Sequence, residues 1–279
     1  MMPSQTEKTP SVGISISESP DLGILGLSDG HLRDAMAEVA LRLLASGISL
    51  AYGGDLRQHG FTQLLAELVG RYRGHPRHTG TIVVTNYLAW PVHIRMTSNE
   101  LAAFSADHES AAHLVFLSLD GARLARERRI SLPAENPQEF EWTKGLTAMR
   151  TVMLADICAR IVLGGRVEGF KGAMPGIAEE TYLSLDAGQP VFLLGGFGGC
   201  ARDIAETLGL SERWGGSRED WPGRECFRNY SPEDLHNGLS REENLVLART
   251  PHIQEAVDLV SRGLRQIVGN ENGHTQSIH

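Results

Sequence analysis

The sequence predicts an α/β protein built on a doubly wound, mainly parallel sheet of the Rossmann type. Short apolar runs alternate with amphipathic stretches of helical spacing along most of the chain. Glycine-rich segments follow several of the apolar runs directly, where the ligand-binding loops of such sheets lie. Because β-α-β connections are almost always right-handed, this order favours parallel strands with helices on both faces.

The predicted strands are short apolar runs that end at turn residues. In chain order they span residues 12–16, 48–52, 81–87, 113–119, 160–164 and 190–194, with a further strand-like run at 244–248. The predicted helices show apolar residues three or four positions apart. They span residues 32–45, 61–72, 139–158, 175–188, 200–208 and 252–265. The first of these helices is expected to end at Ser46-Gly47.

The domain organisation is predicted to be a single domain over residues 11–268. Residues 1–10 and 269–279 are polar and are expected to be disordered tails. Residues 211–241 are too many for a simple connection between a helix and a strand. This segment is either a surface excursion packed on the sheet edge or a lid over the ligand site. Its aromatic residues are Trp214, Trp221, Phe227 and Tyr230.

Composition excludes several classes of function. The 279 residues carry 26 Lys and Arg against 34 Asp and Glu, a formal charge of −8, which disfavours general nucleic-acid binding. No apolar run approaches the roughly 20 residues of a membrane span, and the N-terminus lacks the apolar stretch of a signal peptide. Three widely spaced cysteines favour a reduced, cytoplasmic location. Without a C-x-x-C or H-E-x-x-H motif, we expect no metal and no cofactor.

Loops at the predicted strand ends combine glycine with charged residues. Glycine lets a ligand approach the backbone closely, and a helix that begins after such a loop directs free N–H groups at an anion. We therefore predict a phosphate or diphosphate site, with three basic side chains supplying the countercharge. In chain order the predicted binding residues are Ser17 and Glu18, then Gly53, Gly54, Asp55 and Arg57, then Gly164, Gly165, Arg166, Lys171 and Gly176, and finally Gly195, Gly196 and Gly198.

Each glycine loop also has a simpler interpretation. A single Gly-Gly pair after a strand often does no more than form a tight turn, and residues 195–199 could serve only close packing of a helix on a strand. The first β-α turn lacks the G-x-G-x-x-G fingerprint, which argues against an NAD-dependent dehydrogenase. The chain also lacks G-x-x-x-x-G-K-[ST], which argues against P-loop phosphoryl transfer.

Two adjacent acids, Glu179 and Glu180, fall in the first turn of the helix predicted to begin at Pro175. Acidic residues at this position stabilise a helix through its dipole, which is one interpretation. The other is that a carboxylate faces the sugar of a nucleotide, where it binds ribose hydroxyls or stabilises an oxocarbenium-like centre. Glu18 and Asp55 are further acids expected at the same edge of the sheet.

At these residues the chain resembles the SLOG superfamily. The resemblance rests on "GGR...GF.G..PGIAEE" followed by "G.PVFLLGGFGG", on "GISISES" at the first strand and on "LAYGGDLRQHGFTQLL" at the second. It covers about residues 11–265. The superfamily includes the lonely-guy phosphoribohydrolases, the DNA-processing protein DprA, and sensor domains linked to TIR and sirtuin effectors and to TRPM channels.

The resemblance implies a nucleotide-binding Rossmann-like fold. In the lonely-guy enzymes a "PGGxGTxxE" signature supplies a Glu that works with an Arg to split a nucleoside monophosphate. Here Gly164 and Gly165 match the glycine pair, and Glu180 best matches the catalytic Glu. The chain departs from that signature at residues 166–174, which separate the glycine pair from the helix, and at Ile177, which stands in place of Thr. The longer loop is more similar to the sensor-type branches.

Two functions follow from the resemblance, and binding is the one we favour. In the first, the chain is a sensor module for a nucleotide or ADP-ribose-derived ligand, in bacterial antiviral or stress signalling. With no effector domain expected after the SLOG-like region, this function needs a separate effector protein or a homo-oligomer. In the second, it is an N-glycosidase of nucleoside monophosphates or NAD-type nucleotides, in which Glu180 stabilises the cationic sugar and Arg166 orients the phosphate. A weaker third possibility is a structural partner domain with a vestigial pocket.

Overall fold

The sheet of the protein is seven-stranded and parallel except at one edge. The computed structural model describes residues 10–54, 60–73, 84–108, 112–215 and 221–275. Within them the strand order is β5-β4-β3-β2-β1-β6-β7, and only β5 runs antiparallel to its neighbour. The strands are β1 Ser11–Ser17, β2 Ser49–Gly53, β3 Val84–Leu88, β4 Ala112–Leu117, β5 Arg123–Leu124, β6 Ala159–Gly164 and β7 Val191–Leu194.

Helices cover both faces of this sheet, which confirms the predicted α/β, Rossmann-like class. They are α1 Asp29–Ala45, α2 Phe61–Arg73, α3 Trp90–His93, α4 Ser98–His108, α5 Arg126–Ile130, α6 Glu139–Asp156, α7 Gly176–Asp186, α8 Gly199–Thr207, α9 Arg241–Leu247 and α10 Ile253–Thr275. Short 3₁₀ segments occur at Gly195–Phe197, Arg224–Asn229 and Pro232–Leu235. No helix among the described residues is both long enough and apolar enough to cross a membrane.

The alternation of side chains along β1 determines what each face of the sheet can do. Val12, Ile14 and Ile16 are buried in the core that includes α1 and α10. Gly13 and Ser15 point to the opposite face, which α6 and α7 cover. Polar chemistry on this strand is therefore confined to the α6–α7 face.

The strand order also locates the crevice of the sheet. From β1 the chain runs outward through β2, β3 and β4, and it returns to the other side of β1 with β6 and β7. β1 and β6 are therefore adjacent strands whose following connections leave in opposite directions. Ligands of open α/β sheets bind at the carboxyl ends of such a strand pair.

One predicted strand was wrong. Residues 244–248 overlap helix α9, whose first turn carries a capping box that the strand-like apolar pattern concealed. The Ser240 hydroxyl accepts the Glu243 N–H at 3.2 Å, and the Glu243 carboxylate accepts the Ser240 N–H at 2.8 Å. Helices α3, α4 and α5 and the short strand β5 were not predicted.

The chain termini and the long C-terminal excursion complete the fold. Helix α10 continues to Thr275, past Gly269, where the sequence predicts a disordered tail to begin. Residues 1–9 lie outside the described residues. Within 211–241, the indole N–H of Trp221 donates to Asp203 of α8 at 3.1 Å, and Phe227 is fully buried in the same cluster. This part of the excursion therefore packs on α8.

A buried histidine fixes the loop after β3. His93 Nδ1 accepts from Arg129 Nε at 2.7 Å, and His93 Nε2 lies 2.8 Å from the carbonyl oxygen of Leu117. These two contacts require a neutral ring with the proton on Nε2, because Nδ1 acts as the acceptor. Burial lowers the pKa of His93 to about 4, although the Leu117 contact opposes that shift.

We expect this histidine to make the fold sensitive to acid. The pKa of His93 is 6.5 in the unfolded chain and about 4 in the folded state. The free energy of unfolding therefore carries no cost from this group above pH 6.5. Stability is lost as the pH falls from 6.5 towards 4, by about 3 kcal/mol. Urea unfolding of the wild type and of His93→Gln at several pH values in this range measures it. Equal pH dependence in the two proteins would contradict this assignment.

Candidate functional site

The ends of β1 and β6 form the centre of the candidate site. The Gly165 N–H donates to the Ser17 carbonyl at 3.0 Å, and the Arg166 N–H donates to the Ser17 hydroxyl at 3.2 Å. The Arg166 guanidinium lies 3.6 Å from the Glu18 carboxylate, and these side chains are 52% and 43% exposed. Gly165 has φ +104°, and a Cβ there would lie 2.8 Å from Cys200 Cβ, so only glycine fits.

Beneath this edge lies a buried pair between the sheet and α7. Arg160, on β6, is fully buried, and its Nη1 donates to Glu180 Oε2 at 2.8 Å. The hydroxyl of Ser15 donates to the same carboxylate oxygen. The Arg160 Nε donates to Ser184 at 2.7 Å. Burial lowers the pKa of the Arg160 guanidinium, and the charge of Glu180 opposes that shift. Glu180 is therefore a paired carboxylate and not an isolated acid.

A second arginine, Arg150 on α6, joins both acids of α7. Its Nη1 donates to Glu179, which also accepts from the hydroxyl of Thr147. Its Nε lies 3.7 Å from Glu180 Oε1. We call Arg150, Arg160, Glu179 and Glu180 the charge cluster. Two guanidinium groups here face two carboxylates, and all four side chains are buried, so removing one member would leave a buried charge without its partner.

Two glycines, whose backbone carries no side chain, lie against the charge cluster. A Cβ at Gly53, the last residue of β2, would lie 3.4 Å from Glu180 Oε1 and 3.0 Å from Met149 Cε. A Cβ at Gly176, in the first turn of α7, would lie 2.7 Å from Arg150 Nη2. The structure therefore brings Gly53 and Gly176 to the same group of charges, together with Glu180.

The glycines after β7 border the end of β6, but packing fills the space around them. A Cβ at Gly199 would lie 2.5 Å from the Gly165 carbonyl oxygen. A Cβ at Gly195 would lie 2.5 Å from the Ala248 carbonyl oxygen, and a Cβ at Gly196 would overlap the Thr250 carbonyl. The carboxylate of Asp21 accepts the Gly199 N–H at 2.6 Å at the N-terminus of α8. A protein carboxylate thus occupies the place where a bound anion would interact with this helix. Close packing accounts for Gly195 and Gly196, and Gly198 likewise packs against Asp21.

The remaining predicted residues are placed as follows. Asp55 and Arg57 lie outside the described residues. Lys171 is exposed, and its Nζ lies 5.7 Å from the centre of the Trp142 ring. Gly54 is buried, and a Cβ there would overlap the amide of Asn86. Gly164 is buried at the end of β6 with φ +65°. Arg166 pairs with Glu18, and the arginines that contact Glu180 are Arg160 and Arg150.

Three polar residues of this region were not found from the sequence. Arg160 interrupts the apolar strand "ARIVLG", and an arginine in a buried strand is a signal that a carboxylate must face it. Arg150 has no such signal, because it lies on a helix of mixed character. Asn86, in β3, is 1% exposed, and neither of its amide atoms has a hydrogen-bond partner among the described residues. An unpaired buried amide is unfavourable, so this position is unusual.

The described residues offer little support for other kinds of site. None of them form a group of three or more His, Cys, Asp or Glu that could hold a metal ion. A cleft of about 530 Å³ lies between β4, β5 and α5, at the edge of the sheet and away from β1 and β6. Its polar lining includes His113, Arg123 and Glu127.

Comparison with known proteins identifies one family. A family model described as SLOG cluster2 matches residues 6–232. This match covers every strand of the sheet and all the residues of the charge cluster. No curated protein matches the chain.

Proposed function

Because the chain belongs to the SLOG family described as SLOG cluster2, we propose that it binds a nucleotide or an ADP-ribose-derived ligand at the carboxyl ends of β1 and β6. Membership of this family implies a nucleotide-related small molecule that is bound or processed. The observation that supports this site is the charge cluster, which lies directly beneath the bare backbone of Gly53 and Gly176.

Each part of such a ligand has a counterpart in the site. Glu180 Oε2 is engaged by Arg160 and Ser15, whereas Oε1 faces Gly53 and is 3.7 Å from Arg150. Oε1 is therefore the oxygen that we assign to the ribose hydroxyls. We assign the phosphate to Gly176 at the N-terminus of α7, where helix N–H groups favour negative charge, and we assign the guanidinium of Arg166 as its countercharge.

The surroundings of Glu180 support binding over cleavage. Its side chain is 9% exposed, and one of its two oxygens already accepts two hydrogen bonds. Hydrolysis of an N-glycosidic bond requires room beside the carboxylate for an attacking water. A carboxylate fixed by buried arginines is well suited to hold hydroxyl groups without moving.

One observation favours the second function, N-glycosidic hydrolysis. The resemblance to the lonely-guy enzymes implies a Glu that works with an Arg, and Arg150 lies 3.7 Å from Glu180. In this alternative Glu180 stabilises the cationic sugar, and Arg150 takes the role that the sequence assigns to Arg166. The substrate would be a nucleoside monophosphate or an NAD-type nucleotide.

The sensor function extends the proposal beyond the ligand itself. A module that binds an intact nucleotide has an effect only if binding changes its contacts with another protein. We therefore include in the proposal a separate effector protein or a homo-oligomer, in bacterial antiviral or stress signalling. The support for this extension is the resemblance of residues 166–174 to the sensor-type branches.

Calorimetric titration with AMP, NAD and ADP-ribose tests the proposal directly. We expect at least one of them to bind, and Arg166→Ala to weaken binding about tenfold, because a charged contact to phosphate contributes about 1.5–3 kcal/mol. The matched control is Arg241→Ala. Arg241 lies on α9, is as exposed as Arg166, and pairs with Glu233 at 3.1 Å. We expect this control to bind as the wild type does.

Chromatography of the same mixtures separates the two functions. Binding predicts that each nucleotide is recovered intact. Release of free base by the wild type, lost in a folded Glu180→Gln variant, would establish the hydrolase and overturn the binding proposal. Absence of binding for all three nucleotides would also overturn it.

A further inference from the structure

Two cations and one aromatic ring lie together at the N-terminal end of α6. Trp142 is half-buried in the first turn of α6, and α6 begins near the carboxyl edge of the sheet because it leads down into β6. The Arg95 guanidinium carbon lies 5.9 Å from the centre of its ring, and Lys171 Nζ lies 5.7 Å from it. Arg95 follows β3 and Lys171 follows β6, so two different loops converge on one side chain.

These cations differ from the other exposed basic side chains near the site because no carboxylate neutralises them. In the part of the chain that the structure describes, neither Arg95 nor Lys171 forms an ion pair, whereas Arg166 pairs with Glu18 and Lys144 pairs with Asp120 at 2.5 Å. An aromatic face attracts a cation through its quadrupole but carries no net charge. The positive charge of both side chains therefore stays available to an anion, on a chain whose formal charge is −8.

The position of this group relates it to the proposed ligand site. Gly172, the residue after Lys171, would place a Cβ 3.2 Å from Arg150 Nη1. Lys171 is therefore the chain neighbour of a residue that borders the charge cluster, and Trp142 of α6 lies between Lys171 and Arg95.

We propose that Arg95 and Lys171 form a second anion subsite, which binds the further phosphate of a diphosphate-containing nucleotide such as ADP-ribose. This inference rests on the proposed function and specifies its ligand class. Trp142 is a positioning residue, because contact with its ring holds the ends of two long side chains that would otherwise lose rotamer freedom on binding. The ligand class is thereby narrowed from nucleotides in general to nucleoside diphosphate derivatives.

Calorimetry with ADP-ribose and AMP on the full chain tests this subsite. We expect the wild type to bind ADP-ribose at least tenfold more tightly than AMP. Arg95→Ala and Lys171→Ala should each weaken ADP-ribose binding about tenfold and change AMP binding less than twofold. Trp142→Leu should reduce the preference for ADP-ribose, and Trp142→Phe, which retains an aromatic ring, should restore most of it.

Lys144→Ala is the matched control, because Lys144 lies on α6 two residues from Trp142 but is already paired with Asp120. It should retain the full preference for ADP-ribose. The subsite is wrong if Arg95→Ala and Lys171→Ala bind ADP-ribose as the wild type does. It is also wrong if Lys144→Ala weakens ADP-ribose binding as much as those two variants do. Binding of AMP with no preference for ADP-ribose overturns the subsite alone. If none of AMP, NAD and ADP-ribose binds, the proposed function and the subsite are overturned together.

Discussion

Glu180→Ala is expected to lower the free energy of unfolding by about 3–5 kcal/mol, the effect of removing one member of a buried ion pair. Arg160 is fully buried, and Glu180 accepts its Nη1 hydrogen bond at 2.8 Å. Without that carboxylate the buried guanidinium would lose the one ion pair that it forms among the described residues. Urea unfolding at neutral pH measures the loss.

Two further variants separate this effect from a simple loss of contacts. Glu233→Ala removes an acid from an exposed pair with Arg241 and should change the stability by less than about 1 kcal/mol. The double variant Arg160→Met with Glu180→Leu removes both charges, and it should recover much of the lost stability. A loss of less than 1 kcal/mol in Glu180→Ala would show that Arg160 does not depend on this carboxylate.

The second large effect is expected for Gly196→Ala, which should destabilise the fold by about 3 kcal/mol or more. A Cβ at this position would overlap the Thr250 carbonyl and would lie 2.9 Å from Pro251 N. These are backbone atoms of the connection between α9 and α10, so no side chain can rotate away. The connection must move, and α10 packs on the core that it would disturb.

Gly70→Ala provides the matched control for this substitution. Gly70 lies in α2, and a Cβ there would meet no atom within 4 Å. Alanine is favoured over glycine in a helix interior, so this variant should be more stable by about 0.5–1 kcal/mol. If Gly196→Ala were as stable as the wild type, the loop after β7 would have free space, and its glycines would again be candidates for ligand contact.

The sequence allowed the fold to be predicted because its strands are short apolar runs separated by amphipathic helices of ordinary length. β1, β2, β6 and β7 all lie within one residue of their predicted bounds at each end. Helices α3 and α5 could not be predicted, because helices of four or five residues have too few positions to show a period. The apolar run at residues 244–248 is equally typical of a strand, but the capping box at Ser240 stabilises the start of helix α9.

For the candidate site, the glycine pattern indicated the carboxyl edge of the sheet but could not distinguish two uses of glycine there. Gly53 and Gly196 both follow strands directly, yet Gly53 borders the charge cluster whereas Gly196 is covered by the chain near Thr250. That difference depends on where a segment more than 50 residues away folds back, which local sequence does not encode. The same is true of Arg150, because its partners are set by how α6 packs on α7.

Hydrogen exchange of the full chain with and without ADP-ribose tests the location of the ligand site most directly. We predict slower exchange of backbone amides in residues 17–19, 53–54 and 165–178, which lie at the carboxyl ends of β1, β2 and β6. Residues 195–199 should exchange equally in both samples, since packing already covers them. Protection confined to 195–199, or to the cleft between β4 and β5, would contradict binding at the ends of β1 and β6.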